Sequence, residues 1–156
     1  MIDLVTEVQT TFADLPARLE AGTPNYSGII TWGAALDYLM EIGIERIAAY
    51  EETLLNRVEQ GLTAIPQVQI LGHPAKRAGC ISIQIDGVHP YDFASMIDKY
   101  GVAVRTGSMC AQPIVNKMGL DTVIRISPAF YNTMDEIEKL GEYTEKVIAF
   151  FEKIRR

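Results

Sequence analysis

The chain has 156 residues, 48% of them hydrophobic and 22% charged, and carries a formal net charge of −6 at pH 7. That length suits one domain, or one domain with an appendage, and is enough to bury a real core. The acidic balance and the scattered Lys and Arg argue against a phosphate-binding surface, so no nucleic-acid partner is expected. No apolar run approaches the roughly 18 residues of a membrane span. Met1-Ile2-Asp3-Leu4 lacks the basic-then-apolar pattern of a signal peptide, and a cytoplasmic location is expected. Two cysteines, Cys80 and Cys110, make no disulfide framework and are expected to be reduced.

Residues 1–26 show no clear period and hold Pro16, Pro24 and the turn signal Gly22-Thr23-Pro24-Asn25, so an irregular N-terminal arm is expected there. From 27 to 156 the pattern is that of one folded domain. A helix is expected from Ser27, with Ile29, Trp32, Leu36, Leu39 and Met40 at helical spacing, broken by Gly43. A second runs from Ile44 to about Ala64 on the stripe Ile44, Ile47, Ala48, Leu54, Leu55, Val58 and Leu62, and Pro66 ends it. The period then changes to two. Val68 and Ile70 alternate with Gln67 and Gln69, and Ile81, Ile83 and Ile85 with Ser82 and Gln84, as in half-buried strands.

A short helix follows from His89-Pro90, with Phe93, Met96, Ile97 and Tyr100 apolar and Gly101 as its stop. Val102 and Val104 read as a strand running into Arg105-Thr106-Gly107. Residues 106–112 read as a loop, 113–118 as a brief helix, and Thr122 to Ile126 as the last strand. The final helix starts at Asn132-Thr133, where Thr133 and Glu136 have capping-box spacing. The expected fold is α+β, a two-layer sandwich with a small, mostly antiparallel sheet covered by helices.

The richest chemistry lies in Arg105-Thr106-Gly107-Ser108-Met109-Cys110-Ala111-Gln112-Pro113. A cysteine after a strand and before a helix start meets backbone N–H groups that favour negative charge, with Arg105 near in sequence. This describes an exposed thiolate nucleophile; a buried, inert cysteine is the competing reading. Cys80, at the head of an alternating strand, reads as packing. Arg125 falls on the strand face opposite Ile124 and Ile126, where a guanidinium fork suits a carboxylate or a structural ion pair. His89 reads as a cap and His73 as solvated. No metal set, glycine-rich phosphate loop or hydrolase elbow is present.

These residues carry a resemblance. The stretch from Arg105 to Pro113 resembles the active-site cysteine loop of group II, SUF-type cysteine desulfurases, which reads Arg-[Ala/Thr]-Gly-His-His-Cys-Ala-[Gln/Met]-Pro. Thr10-Thr11-Phe12-Ala13-Asp14-Leu15-Pro16, Glu20-Ala21-Gly22-Thr23-Pro24-Asn25, Gly87-Val88-His89-Pro90-Tyr91-Asp92, and Arg125, Ser127 and Tyr131-Asn132-Thr133 match in the same order. The family belongs to the class V aminotransferase superfamily of fold type I pyridoxal phosphate enzymes, and residues 27–156 would be its C-terminal small domain. The resemblance implies a homodimer that takes sulfur from L-cysteine as a persulfide on Cys110, for a SUF sulfur-acceptor protein and iron–sulfur cluster assembly. It implies that Arg125 holds the substrate carboxylate, that Arg105 lies by the active-site loop and serves substrate binding, and that Thr23 meets the cofactor phosphate of the partner subunit.

Two departures stand out. Ser108-Met109 replaces the family's His-His, and Arg125-Ile126-Ser127-Pro128 replaces Arg-Ala-Ser-Phe. The family's Schiff-base lysine sits in a Ser-x-His-Lys setting, and none of the six lysines here does. Pyridoxal phosphate is therefore expected not to bind covalently to this chain, and the chain alone is expected to lack desulfurase turnover. The alternative expectation is a sulfur-relay or partner-docking domain that works without the cofactor.

Overall fold

The computed structural model describes residues 1–75, 77 and 79–155. The chain divides into two compact units, Met1–Ile44 and Glu45–Arg156. The first holds a two-stranded antiparallel hairpin, β1 (Ile2–Val5) and β2 (Thr10–Phe12), a 3₁₀ turn at Ala17–Leu19 and helix α1 (Tyr26–Ile42). The expected irregular arm thus contains a hairpin, closed by Thr6, whose backbone N–H and hydroxyl both donate to the Gln9 carbonyl. Its strands are too short and too evenly exposed to show a period of two.

Helix α1 begins one residue earlier than Ser27 suggests. Asn25 is the cap, its side-chain oxygen accepting from the Gly28 N–H at 3.0 Å. None of residues 1–44 is buried, and Trp32 is 64% exposed. The compact units divide after Ile44, and α1 carries no buried residue.

The second unit is the α+β sandwich. Helix α2 (Ile44–Thr63) reaches into it at its start; α3 (Pro90–Ile97), α4 (Gln112–Lys117) and α5 (Met134–Arg155) follow. Four strands, β3 (Val68–Leu71), β4 (Ile81–Ile85), β5 (Arg105–Gly107) and β6 (Val123–Ile126), form an antiparallel sheet in the order β3-β4-β6-β5. Period-two sequence puts Ile81, Ile83 and Ile85 on one face and Ser82 and Gln84 on the other, and burial alternates accordingly. Ile70, Ile124 and Ile126 share the isoleucine face. Leu54, Leu55, Val58 and Leu62 of α2, Phe93 and Ile97 of α3, and Ile137, Leu140, Val147 and Ile148 of α5 complete that core. Each fully buried large side chain contributes about 1.5–3 kcal/mol. The first part of the α2 stripe does not join it: Ile44 is 53% exposed.

The ends of these helices follow their local chemistry. His89 Nδ1 accepts from the Tyr91 N–H at 3.3 Å, and Pro90 supplies a first-turn residue without an N–H. Thr133 and Glu136 form the reciprocal capping box: the Thr133 N–H donates to Glu136 at 2.8 Å, and the Glu136 N–H donates to Thr133 Oγ1 at 3.3 Å. The strand expected from Val102 begins only at Arg105. Continuing the antiparallel register would set Val102 opposite Pro128, which has no N–H to give.

Candidate active site

Strand β5 leads directly into the cysteine loop. Gly107 takes φ +131°, and the next residues close a turn in which the Ala111 N–H donates to the Ser108 carbonyl at 2.9 Å. Its two central residues, Met109 and Cys110, have φ of 54° and 59°. Positive φ at both positions marks a mirror-image, type I′ turn. Non-glycine residues resist this backbone by about 1 kcal/mol each, so the turn holds stored strain at the cysteine. Cys110 is exposed, at the tip between β5 and the six-residue α4. Cys80, just before β4, is half-buried.

Pairing across the sheet assembles a polar row that the sequence alone does not display. Arg125 lies directly opposite Ser82 on one side and Arg105 on the other. Arg105 is exposed and Arg125 half-buried, and the buried Nε of Arg125 has no hydrogen-bond partner among the described residues. Arg57 and Arg77, by contrast, meet Glu138 and Glu59, each at 3.0 Å. Like charges directly opposite on neighbouring strands repel, and an orphaned guanidinium nitrogen lacks compensation for its lost water. A carboxylate set between the two guanidinium groups would offset their repulsion.

The structure thus brings Arg105 and Arg125 together, with Cys110 on the loop that follows Arg105. Thr23 lies in the first unit and is exposed. His73 is largely exposed, 3.6 Å from Glu59. Ser82 belongs to the row although sequence reading singled it out only as an outward strand position. Its alternation was visible; its partner was not.

None of the described lysines sits in an enclosed setting that would hold pyridoxal phosphate covalently. An imine-bound cofactor needs a lysine inside a shaped pocket. Lys99, Lys117, Lys139, Lys146 and Lys153 are all exposed, and Lys146 is engaged by Glu142 at 2.6 Å. Lys76, read as part of a turn, lies outside the described residues. No group of His, Cys, Asp and Glu able to hold a metal occurs among the described residues. Among the described residues no helix is long and apolar enough to cross a membrane.

Residues 1–140 match the family described as aminotransferase class-V. A cysteine desulfurase of Cronobacter sakazakii is 48% identical over 131 residues, which is 84% of this chain and 32% of that protein. One from Salmonella agona is 43% identical over 141 residues, covering 90% of this chain and 34% of that one. The chain therefore spans about a third of the length of the curated relatives it matches. Among solved structures, the Escherichia coli cysteine desulfurase CsdA in its S-sulfonic acid form superposes with a TM-score of 0.87 at 28% identity, over 96% of this chain and 37% of that one. The apo cysteine desulfurase of Thermococcus onnurineus gives 0.86 at 33% identity, over 95% and 37%.

Proposed function

The chain belongs to the class-V aminotransferase family, and from that premise we propose that it is the sulfur-accepting portion of a cysteine desulfurase, with Cys110 as the nucleophile that carries the persulfide. The observation that supports this most directly is the exposed cysteine on a strained turn, one strand end away from Arg105 and Arg125, which face each other and of which the buried Arg125 Nε has no hydrogen-bond partner among the described residues. In this reading Arg125, assisted by Arg105, binds the carboxylate of L-cysteine and orients its sulfur toward Cys110. The forks match a carboxylate in shape and charge. Thr23 is assigned to the phosphate of a pyridoxal phosphate held by a partner subunit of a homodimer. That cofactor supplies an electron sink when bound; its lysine is not among the residues described here. The sulfur then passes to an acceptor protein of the SUF pathway, in the cytoplasm, for iron–sulfur cluster assembly.

The lack of any enclosed lysine among the described residues favours a narrower second reading, in which the chain relays sulfur without the cofactor. Cys110 thiolate attacks the outer sulfur of a donor persulfide; a new S–S bond forms on Cys110 and the donor leaves as a thiolate. Two assays separate the readings. The purified chain with pyridoxal phosphate and L-cysteine is expected to release no alanine; sustained release would show that a lysine of this chain does hold the cofactor. With a small persulfide donor, intact mass should show one added sulfur on the chain and none on Cys110→Ser. Equal loading of that variant would remove Cys110 from the role altogether.

A further inference from the structure

Helix α1 is specified by its own ends. Asn25 caps its start by accepting from the Gly28 N–H, and Gly43 stops it with φ +96°. Between them Ile29, Trp32, Leu36 and Met40 recur at helical spacing as one stripe, and all four are exposed. Tyr26, Ile30 and Tyr38 are exposed beside it. A helix this apolar is normally buried, and a contiguous exposed patch of this kind marks a contact surface. No residue of the unit Met1–Ile44 is buried, so nothing within that unit covers the stripe.

The charges on α1 select what fits against it. Tyr26 to Leu36 carry none, whereas Asp37 and Glu41 lie in the last two turns. The helix dipole is negative at that end and positive at the start, and the last turn holds no basic residue to offset the two carboxylates. A neighbouring helix that runs the opposite way places its positive, uncharged half beside them. Helix α1 is itself such a helix. Turned about its midpoint near Ala34, a second copy sets Trp32 beside Leu36 of the partner subunit and Ile29 beside Met40 of the partner subunit. A parallel pair would instead set Asp37 and Glu41 against their own images. Gly33, at the edge of the stripe beside that midpoint, has nothing within 4 Å of where a Cβ would lie, which leaves room for a close crossing.

We propose that α1 pairs antiparallel with α1 of a second copy of this chain, about a two-fold axis close to Ala34. The contact is isologous: the same stripe serves both copies, and the pairing closes at two. Burial of the stripe supplies the attraction, and the end charges set the direction. Neither Cys110 nor the two arginines of the sheet takes part.

The test uses the full 156-residue chain under a thiol reductant, so that the exposed Cys110 cannot cross-link copies. Sedimentation equilibrium is expected to show a concentration-dependent passage from 17.3 kDa to twice that mass. Emission from Trp32, the single tryptophan, should move to shorter wavelength over the same range. Leu36→Lys puts a charge on the stripe and should hold the chain at 17.3 kDa, while protected β4 amides report that the second unit still folds. Asp37→Lys combined with Glu41→Lys reverses the end charges and should weaken the antiparallel dimer at least about threefold. A mass of 17.3 kDa at every concentration, growth past the dimer without a plateau, or a dimer that survives Leu36→Lys overturns the proposal. So does unchanged or tighter pairing in the double lysine variant, which a parallel pair would give. A chain that stays monomeric alone and associates only with an added full-length cysteine desulfurase assigns the stripe to a different partner, and overturns it equally. Mass and Trp32 emission are read without a persulfide donor, so failure here is distinguishable from failure of Cys110 to load.

Discussion

At Arg105 and Arg125 two cations face each other across one ladder step, and only the second is shielded from water. Removing the outer charge should relieve repulsion without opening a cavity. Arg105→Gln is expected to stabilise the chain by about 0.2–1 kcal/mol in urea unfolding, a gain that shrinks as salt rises. An unchanged or lowered midpoint at low salt would mean that the two groups are already neutralised. The turn at Met109 and Cys110 gives a second test. Met109→Gly removes the side chain that resists positive φ and should raise stability by at most about 1 kcal/mol. Cys110 itself was legible in the sequence as a loop cysteine after a strand. Its left-handed backbone was not, because nothing in Ser108-Met109-Cys110-Ala111 carries the Gly or Asn signature of such a turn.

At the scale of elements, α5 shows local sequence and final structure in agreement. Thr133 and Glu136 were visible as a capping pair and form one. Thr133→Ala should cost about 1 kcal/mol, read from the urea midpoint. Glu136 adds a pH dependence. The Thr133 backbone N–H, then the Asn132 amide, hold its carboxyl below the ordinary carboxylate range. A lowered folded-state value means that this contribution is present above the unfolded value and is lost as pH falls through the folded one. Stability should therefore fall more steeply on acidification in the native chain than in Glu136→Gln; parallel curves would deny the cap its charge. In the sheet, β4 was readable from its alternation, whereas β5 started three residues late. Val102 and Val104 have strand-like sequence, but pairing is decided by the neighbour, and in the continued register Val102 would meet Pro128, which has no N–H to give.

For the whole molecule, the second unit holds the core and the first has none. Phe93 is fully buried between the sheet and its helices, so Phe93→Ala should cost about 3–5 kcal/mol. A two-stranded hairpin is marginal by itself. Amides of residues 2–12 should exchange with little protection while those of β4 exchange only on global unfolding; strong protection in the hairpin would reveal burial that residues 1–44 do not show. Sequence by itself determined the α+β class, four of the five helices to within a residue or two, the isoleucine face, the capping box and the cysteine loop. All of these are written in local period, cap chemistry or contiguous motif. Only the tertiary structure decided the β3-β4-β6-β5 order, the Ser82–Arg125–Arg105 row and the boundary at Ile44. Each depends on which distant residues meet across strands or share a core, and a strand's own residues specify its faces but not its neighbours.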